Sequence, residues 1–325
     1  MKNITRLFLF LLILTVSLIG DEYPHLILNV DINKTLIASD KAGGKLVEDV
    51  LNELMAEKYV ALWDHSQQKM TTFETYVEKV LLSESLNDQE FSKLRKYHLQ
   101  HFIDFLSAHN HPLYETVLHE YETALSTLTA VKGKVFPSFF TLLNHLEQKG
   151  ISYSVILRSY GKEISEVKNE IAAVQKIVFK HTGKFRKGNL ILDHEKPITD
   201  HAGIYQQLRR ISHTAIHDDW QYWSAGKMCT KLGKPFYVDR NDPETLSIFF
   251  DDNIGLKNSD TNIIASLDAS NGELIPIEEL IESGQAVPVN TLEAILNTDY
   301  FKKHVEDALY KHLRRYELIE EKVGI

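Results

Sequence analysis

Three apolar runs in this chain each stop at a charged or hydroxyl side chain, and this pattern limits the fold more than any other feature. Residues 25–30 read HLILNV and stop at Asp31. Residues 153–157 read YSVIL and stop at Arg158 and Ser159, and residues 246–250 read LSIFF and stop at Asp251 and Asp252. Runs without polar alternation suit strands buried on both faces of a parallel sheet. A fourth strand-like run, HTAIH, covers 213–217. Helical patterns separate the runs, for example SFFTLLNHLEQK, which opens at Pro137 and closes at Gly150. Strands alternating with helices predict an α/β chain with a doubly wound parallel sheet.

The carboxyl ends of strands are the binding edge of such a sheet. Gathered there, Asp31, Ser159 and the Asp251, Asp252 pair would make a cage of hard oxygen ligands suited to Mg²⁺, with room for a phosphate.

Residues 46–133 have a different character. Apolar residues recur at helical spacing in LVEDVLNELMAEKYVALW, FETYVEKVLL, FSKLRKYHLQHFIDFL and LYETVLHEYETALSTL, with breaks at Asn87, Asp88 and residues 109–112. They predict a separate, all-helical insert. The tail, residues 291–321, predicts one charged amphipathic helix lying on the core.

With 325 residues, 43% of them hydrophobic, the chain can build an extensive core. Its net charge of -9 argues against nucleic acid or an anionic membrane surface as partner. A lone cysteine, Cys229, excludes an internal disulfide and a cysteine-rich zinc site. At the amino terminus, Lys2 and Arg6 precede an apolar run at 7–19, the layout of a secretory signal. The run falls short of the ~20 apolar residues that span a bilayer. We therefore expect residues 1–20 to be a signal peptide or signal anchor, and the protein to be exported (periplasmic or secreted) or membrane-anchored. Cleavage after Ser17 or Gly20 would leave imperfect small-residue positions, which keeps the anchor open.

His98, His101, His109 and His111 crowd the insert without a carboxylate at ligand-like spacing, so we read them as solvated surface residues. Asp218 and Asp219 end a strand-like run and either cap the next helix or contact a ligand. Trp63, Trp220 and Trp223 read as packing residues.

VDINKTLI at 30–37, LRSYG at 157–161 and FFDDNIG at 249–255 stand in the order of three motifs of the haloacid dehalogenase superfamily, which the chain resembles over residues 25–45 and 134–265. The resemblance implies a Rossmann-like core from residues 21–45 and 134–325, with residues 46–133 as a helical cap and the Gly43, Gly44 turn in the flap that carries it. It implies that Asp31 is the nucleophile and a metal ligand. Asn33 would occupy the acid/base position and lend its backbone carbonyl to the metal, and Thr35 would support the loop at the substrate end. Ser159 would hydrogen-bond a phosphate oxygen, while Arg158 would be a substrate contact or a surface ion pair. Asp251 and Asp252 would hold Mg²⁺ directly or through water. A lysine would neutralise the charge on Asp31 and the phosphoryl group; Lys234, in LGKPFYV, fits this role, with Lys227 and Lys231 as rivals.

Asn33 departs from the family pattern. The superfamily's phosphatases carry an aspartate there, which protonates the leaving alcohol and then activates the hydrolytic water. An amide does neither, and losing a general acid/base costs about 10²- to 10⁴-fold in rate. The expectation is a Mg²⁺-dependent phosphatase acting on a small phosphorylated substrate through an aspartyl phosphate on Asp31. It would be slow, or would use another base, for which His25, Lys34, His217 and Asp218 come into view. The rival is a catalytically weak protein that binds a phospho-ligand or partner. A true dehalogenase is disfavoured, since that chemistry needs no Mg²⁺ and the two acids at 251 and 252 look built for a cation.

Overall fold

Six of the seven residues in the first strand are buried, as a run without polar alternation requires. The computed structural model describes residues 23–39, 44–64, 67–82, 86–130, 132–193, 195–255 and 262–316. The apolar run at 7–19 and Gly43 lie outside the described residues, as does the end of the tail.

Strand β1 (His25–Asp31) is followed by helix α1 (Val47–Lys58), the short pair β2 (Val60–Ala61) and β3 (Thr71–Thr72), and α2 (Phe73–Tyr76), which runs on as a π turn. Helices α3 (Asp88–Gln100), α4 (Phe102–Ala108), α5 (Tyr114–Thr129) and α6 (Pro137–Lys149) lead to β4 (Tyr153–Ser159). Next come α7 (Ile164–Gln175), β5 (His181–Arg186), β6 (Asn189–Leu192), α8 (His201–Arg210), β7 (Thr214–His217) and α9 (Trp220–Ala225). The chain then forms β8 (Lys234–Val238), β9 (Thr245–Asp251), β10 (Ile264–Asp268), α10 (Ile277–Glu282), β11 (Ala286–Pro288), α11 (Thr291–Leu296) and α12 (Tyr300–Arg315).

The fold is α/β with a mostly parallel central sheet of order β11-β9-β1-β4-β7-β5-β6. Its ladders are parallel except β5 with β6, a hairpin at the edge. Lys187 (φ 50°) and Gly188 (φ 82°) both take the left-handed conformation that matches the twist of a tight hairpin. The chain adds β4, β7 and β5 on one side of β1 and β9 and β11 on the other, so a crevice opens beyond the carboxyl end of β1. Strands β8 and β10 pair in parallel as a second, two-stranded sheet.

Alternation along β1 sends Leu26, Leu28 and Val30 into one apolar cluster, with Leu142 and Leu146 of α6 and Phe301 of α12. Ile27 enters the other, with Ile204 and Leu208 of α8. Each such side chain contributes ~1.5–3 kcal/mol on burial, so the sheet is pinned from both faces.

Local signals explain the helix ends. Asn87 accepts hydrogen bonds from the amides of Gln89 and Glu90 at the start of α3, while Glu90 accepts from the amide of Asn87. Gly150 closes α6 in the left-handed conformation. The helical stretch shares an apolar cluster with the core: Leu51, Met55, Val117 and Ala124 stand in it with Leu28 and Phe301. One expectation changes. The tail is broken into α11 and α12, because the Asn297 side chain accepts the amide of Asp299 and makes a turn.

Candidate active site

The loop after β1 doubles back tightly: Ile32 O accepts from the amides of Leu36 (2.9 Å) and Ile37 (3.1 Å), and Lys34 sits at φ 57°. This turn buries Thr35 against the end of β9. Its hydroxyl accepts from the amide of Asp252 at 3.1 Å and donates to Asp252 Oδ1 at 3.5 Å. The two acidic strand ends are thereby locked together. Asp31, Asp251 and Asp252 each present an oxygen within 4.8 Å of the others.

Lys234, the first residue of β8, enters this group from the second sheet. Its Nζ donates to Asp31 Oδ1 at 2.6 Å and Asp251 Oδ2 at 2.7 Å, and only 1% of the residue is exposed. Gly233 permits the approach, since a Cβ there would lie 2.4 Å from the carbonyl oxygen of Ile263. Lys227 and Lys231, the rival lysines, are exposed and take no part.

Burial pushes the Asp31 carboxyl up to about 7; Lys234 opposes the rise and Asp251 adds to it. Burial, then Asp251 and Asp31, drives Asp252 well above the ordinary carboxylate range. Burial disfavours the Lys234 ammonium, but Asp251 and Asp31 outweigh it and raise its pKa above the usual lysine range. Three carboxylates therefore face one buried ammonium, and they need protons or another cation. An all-oxygen set suits a hard divalent ion. The buried Asn33 Oδ1, which has no partner among the described residues, also fits a nearby donor or cation.

Ser159 ends β4 on the same edge. Its hydroxyl accepts from the amide of Gly161 at 2.9 Å, which leaves its own hydrogen to donate. Asp31, Asn33, Ser159, Lys234 and Asp252 all line one cleft of about 730 Å³.

Arg158 is corrected on both of its expected roles, substrate contact and surface ion pair. The residue is 0% exposed and donates from Nε and Nη2 to Asp218 (3.1 and 2.5 Å) and from Nη1 to Asn29 Oδ1 and Pro235 O. Its guanidinium makes four buried hydrogen bonds and is spent on structure. That pairing also takes Asp218 out of the site, while Asp219 caps α9. His25 lies at the opposite end of β1, bonded to Ser152 and Ser154, and is no substitute base. Lys34 stays at the cleft, 3.5 Å from the buried Glu53. None of the crowded histidines of the insert joins a metal-ligating group among the described residues.

Sequence reasoning missed the aromatic wall of the cleft. Trp220 and Trp223, read as packing residues, both line it beside Tyr160, whereas Trp63 packs against Phe73 and Phe102 in the core. Two tryptophans three residues apart just beyond a strand's carboxyl end were the available signal. No family model, curated protein or solved structure matches this chain.

Proposed function

We propose that the chain is a Mg²⁺-dependent phosphate-ester hydrolase of the haloacid dehalogenase type, with a doubly wound core and residues 46–133 as its helical cap. The observation that carries this reading is Lys234 Nζ, held 2.6 Å from Asp31 and 2.7 Å from Asp251 at the carboxyl edge of the sheet. A carboxylate that must approach a phosphate dianion needs such a fixed cation.

Asp31, Asp251, Asp252 and the backbone carbonyl of Asn33 would hold Mg²⁺. When bound, the ion supplies positive charge that keeps Asp31 ionised and screens the phosphoryl oxygens. A carboxylate oxygen of Asp31 attacks phosphorus, the bond to the ester oxygen breaks, and the alcohol leaves. Ser159 donates its free hydrogen to a phosphoryl oxygen. Water then attacks phosphorus, releasing inorganic phosphate and restoring Asp31. Asn33 cannot donate or accept the protons of these two steps, so water must, and turnover is slow.

Asn33 also supports a second reading, in which the protein binds a phosphorylated small molecule without turning it over. Phosphate release from a panel of monophosphate esters, with Mg²⁺ and with EDTA, separates the two. We expect slow, Mg²⁺-dependent release that Asp31→Asn abolishes. Binding of esters without any release would overturn the hydrolase in favour of the binding protein.

We further propose export or membrane anchoring through residues 1–20. Among the described residues, no helix is long and apolar enough to cross a membrane. A reporter fused after Glu22 should be translocated, and one that stays in the cytoplasm removes the proposal.

A further inference from the structure

The cleft has two chemically different parts. Asp31, Asp252, Lys234, Lys34 and Ser159 line one part of it with Asn33 and Asn253, and Tyr160, Trp220, Trp223, Met228 and Ile263 supply the aromatic and apolar part. Both basic side chains of the lining, Lys34 and Lys234, belong to the acidic part. The aromatic wall thus offers no cation for a second phosphate or a carboxylate.

The wall is continuous with the acid centre. The Tyr160 ring lies over Lys234, with Nζ 5.1 Å from its centroid. Tyr160 stacks on Trp223 at 5.8 Å with an interplanar angle of 8°, and Trp220 stands edge-on to both rings at 5.4 Å. Lys234, Tyr160 and Trp220 are successive neighbours, so one small molecule can reach from Asp31 to Trp220.

Three further features mark the wall as more than packing. Trp220 is 47% exposed and Met228 45%, an apolar surface left open at the mouth of the cleft. Met228 is held there by a backbone that L residues rarely adopt, since Lys227 (φ 55°) and Met228 (φ 59°) are consecutive left-handed residues. Of eight buried side-chain polar atoms without a partner among the described residues, three belong to lining residues: Asn33 Oδ1, the Tyr160 hydroxyl and Trp223 Nε1. Orphaned polar atoms are costly, and their concentration around one cleft points to a ligand that would satisfy them.

We propose that this wall seats the leaving group of the substrate, and that this group is a flat, uncharged aromatic system carrying a single phosphate. The proposal rests on the phosphate-ester reading of the acid centre. A sugar phosphate is a poor match, because the wall offers its several hydroxyls only two polar atoms without a partner among the described residues, the Tyr160 hydroxyl and Trp223 Nε1, and the rest would face ring carbon and aliphatic surface. A nucleoside diphosphate or larger polyanion would lack a cation for its second phosphate.

The test uses non-hydrolysable phosphonates on the full chain with Mg²⁺, so that the reactivity of aryl esters does not enter. Binding of 1-naphthylmethylphosphonate and of propylphosphonate, equal in charge, is measured by calorimetry. We expect the aryl compound to bind about tenfold more tightly, as stacking on an aromatic wall supports. Trp220→Ala should bring the two affinities together, chiefly by weakening the aryl compound, with binding of both still dependent on Mg²⁺. Trp220→Leu, which keeps an apolar side chain without the flat ring, should lose most of the preference too. Equal wild-type affinities for the two phosphonates, both Mg²⁺-dependent, would overturn the aromatic proposal and leave the phosphate reading standing. Failure of both phosphonates to bind, with no ester hydrolysed, would overturn both.

Discussion

Replacing Lys234 by methionine removes one ammonium from the acid centre and keeps most of its aliphatic stem. The Nζ lies 2.6 Å from Asp31 and 2.7 Å from Asp251, and the three side chains are 1%, 9% and 0% exposed. The pair Lys311–Asp307 on α12 has the same 2.6 Å separation, but its side chains are 41% and 53% exposed. Distance is equal in the two cases, so burial and the second carboxylate at Lys234 separate them. Exposed pairs four residues apart on a helix contribute ~0.3–0.5 kcal/mol. Removing one partner of a buried pair costs ~3–5 kcal/mol, because the remaining charge is stranded out of water. Lys234→Met strands two carboxylates, and proton uptake by one of them limits the loss to about that range. Urea unfolding followed by tryptophan fluorescence, in EDTA, should show a loss of ~3–5 kcal/mol for Lys234→Met and under ~0.5 for Lys311→Met. If the acid cluster holds Mg²⁺ as proposed, the ion should return part of the loss, since that site exists only in the folded state. A loss below ~1 kcal/mol for Lys234→Met would refute the reasoning, for it would mean that the centre is solvated and the ion pair no stronger than a surface bridge.

Arg158→Met should destabilise the fold by ~3–5 kcal/mol by stranding Asp218, while Arg158→Met with Asp218→Leu recovers most of it; an unchanged urea midpoint for the single variant would contradict the buried pairing. Mg²⁺ should raise the melting temperature of the wild type and fail to do so in Asp251→Asn, and an unchanged response in the variant would remove Asp251 from the metal site. Asn33→Asp should raise ester turnover by about 10²- to 10⁴-fold, and an unaltered rate beside a turning-over wild type would show that another base already serves. Burial holds His312 below its ordinary 6.5, despite its bond to the Pro243 carbonyl at 2.9 Å. The unfolded chain therefore takes up the proton first, and stability present above about 6.5 is lost as pH falls toward the folded value. His312→Gln should flatten the fall in unfolding free energy on that acid side, and an identical slope in the variant would rule His312 out as its source.

The parts of the fold legible in the sequence are those in which every residue of a run obeys one rule. β1, β4 and β9 are buried on both faces, so their apolar runs have no alternation to confuse, and each ends on a residue of the acid edge. β5 was not legible: HTGKFR puts a glycine and two basic residues in a strand whose pattern is mostly half-exposed. Only the Lys187, Gly188 turn marked that hairpin. β8 was hidden differently. Lys234 stood out as a lysine before proline, yet it is the first residue of a five-residue strand in which all positions are buried. A buried lysine reads as a surface residue until its two carboxylate partners are known, and those lie 203 and 17 positions away. The same holds for Arg158, whose partner Asp218 is 60 residues on. Charge pairing over such separations leaves no local trace, whereas strand burial does.

The acid centre sets stability against chemistry at Lys234. An ordinary core would exclude three carboxylates from so small a volume; burial first, and then repulsion from neighbouring carboxylates, raises the pKa of Asp31 and Asp252. The fold tolerates them because the lysine ties two of the three together and Thr35 fixes the third. Under the proposed chemistry the same lysine is the group that lets Asp31 meet a dianion, so it cannot be exchanged for an apolar residue without losing both roles. Asn33 is free of that constraint. Its side chain makes no bond through Oδ1, and the ties that fix the loop run through backbone amides and Thr35 instead. Under the proposed chemistry, an amide rather than an acid at position 33 would slow proton transfer while leaving the ion-pair framework standing.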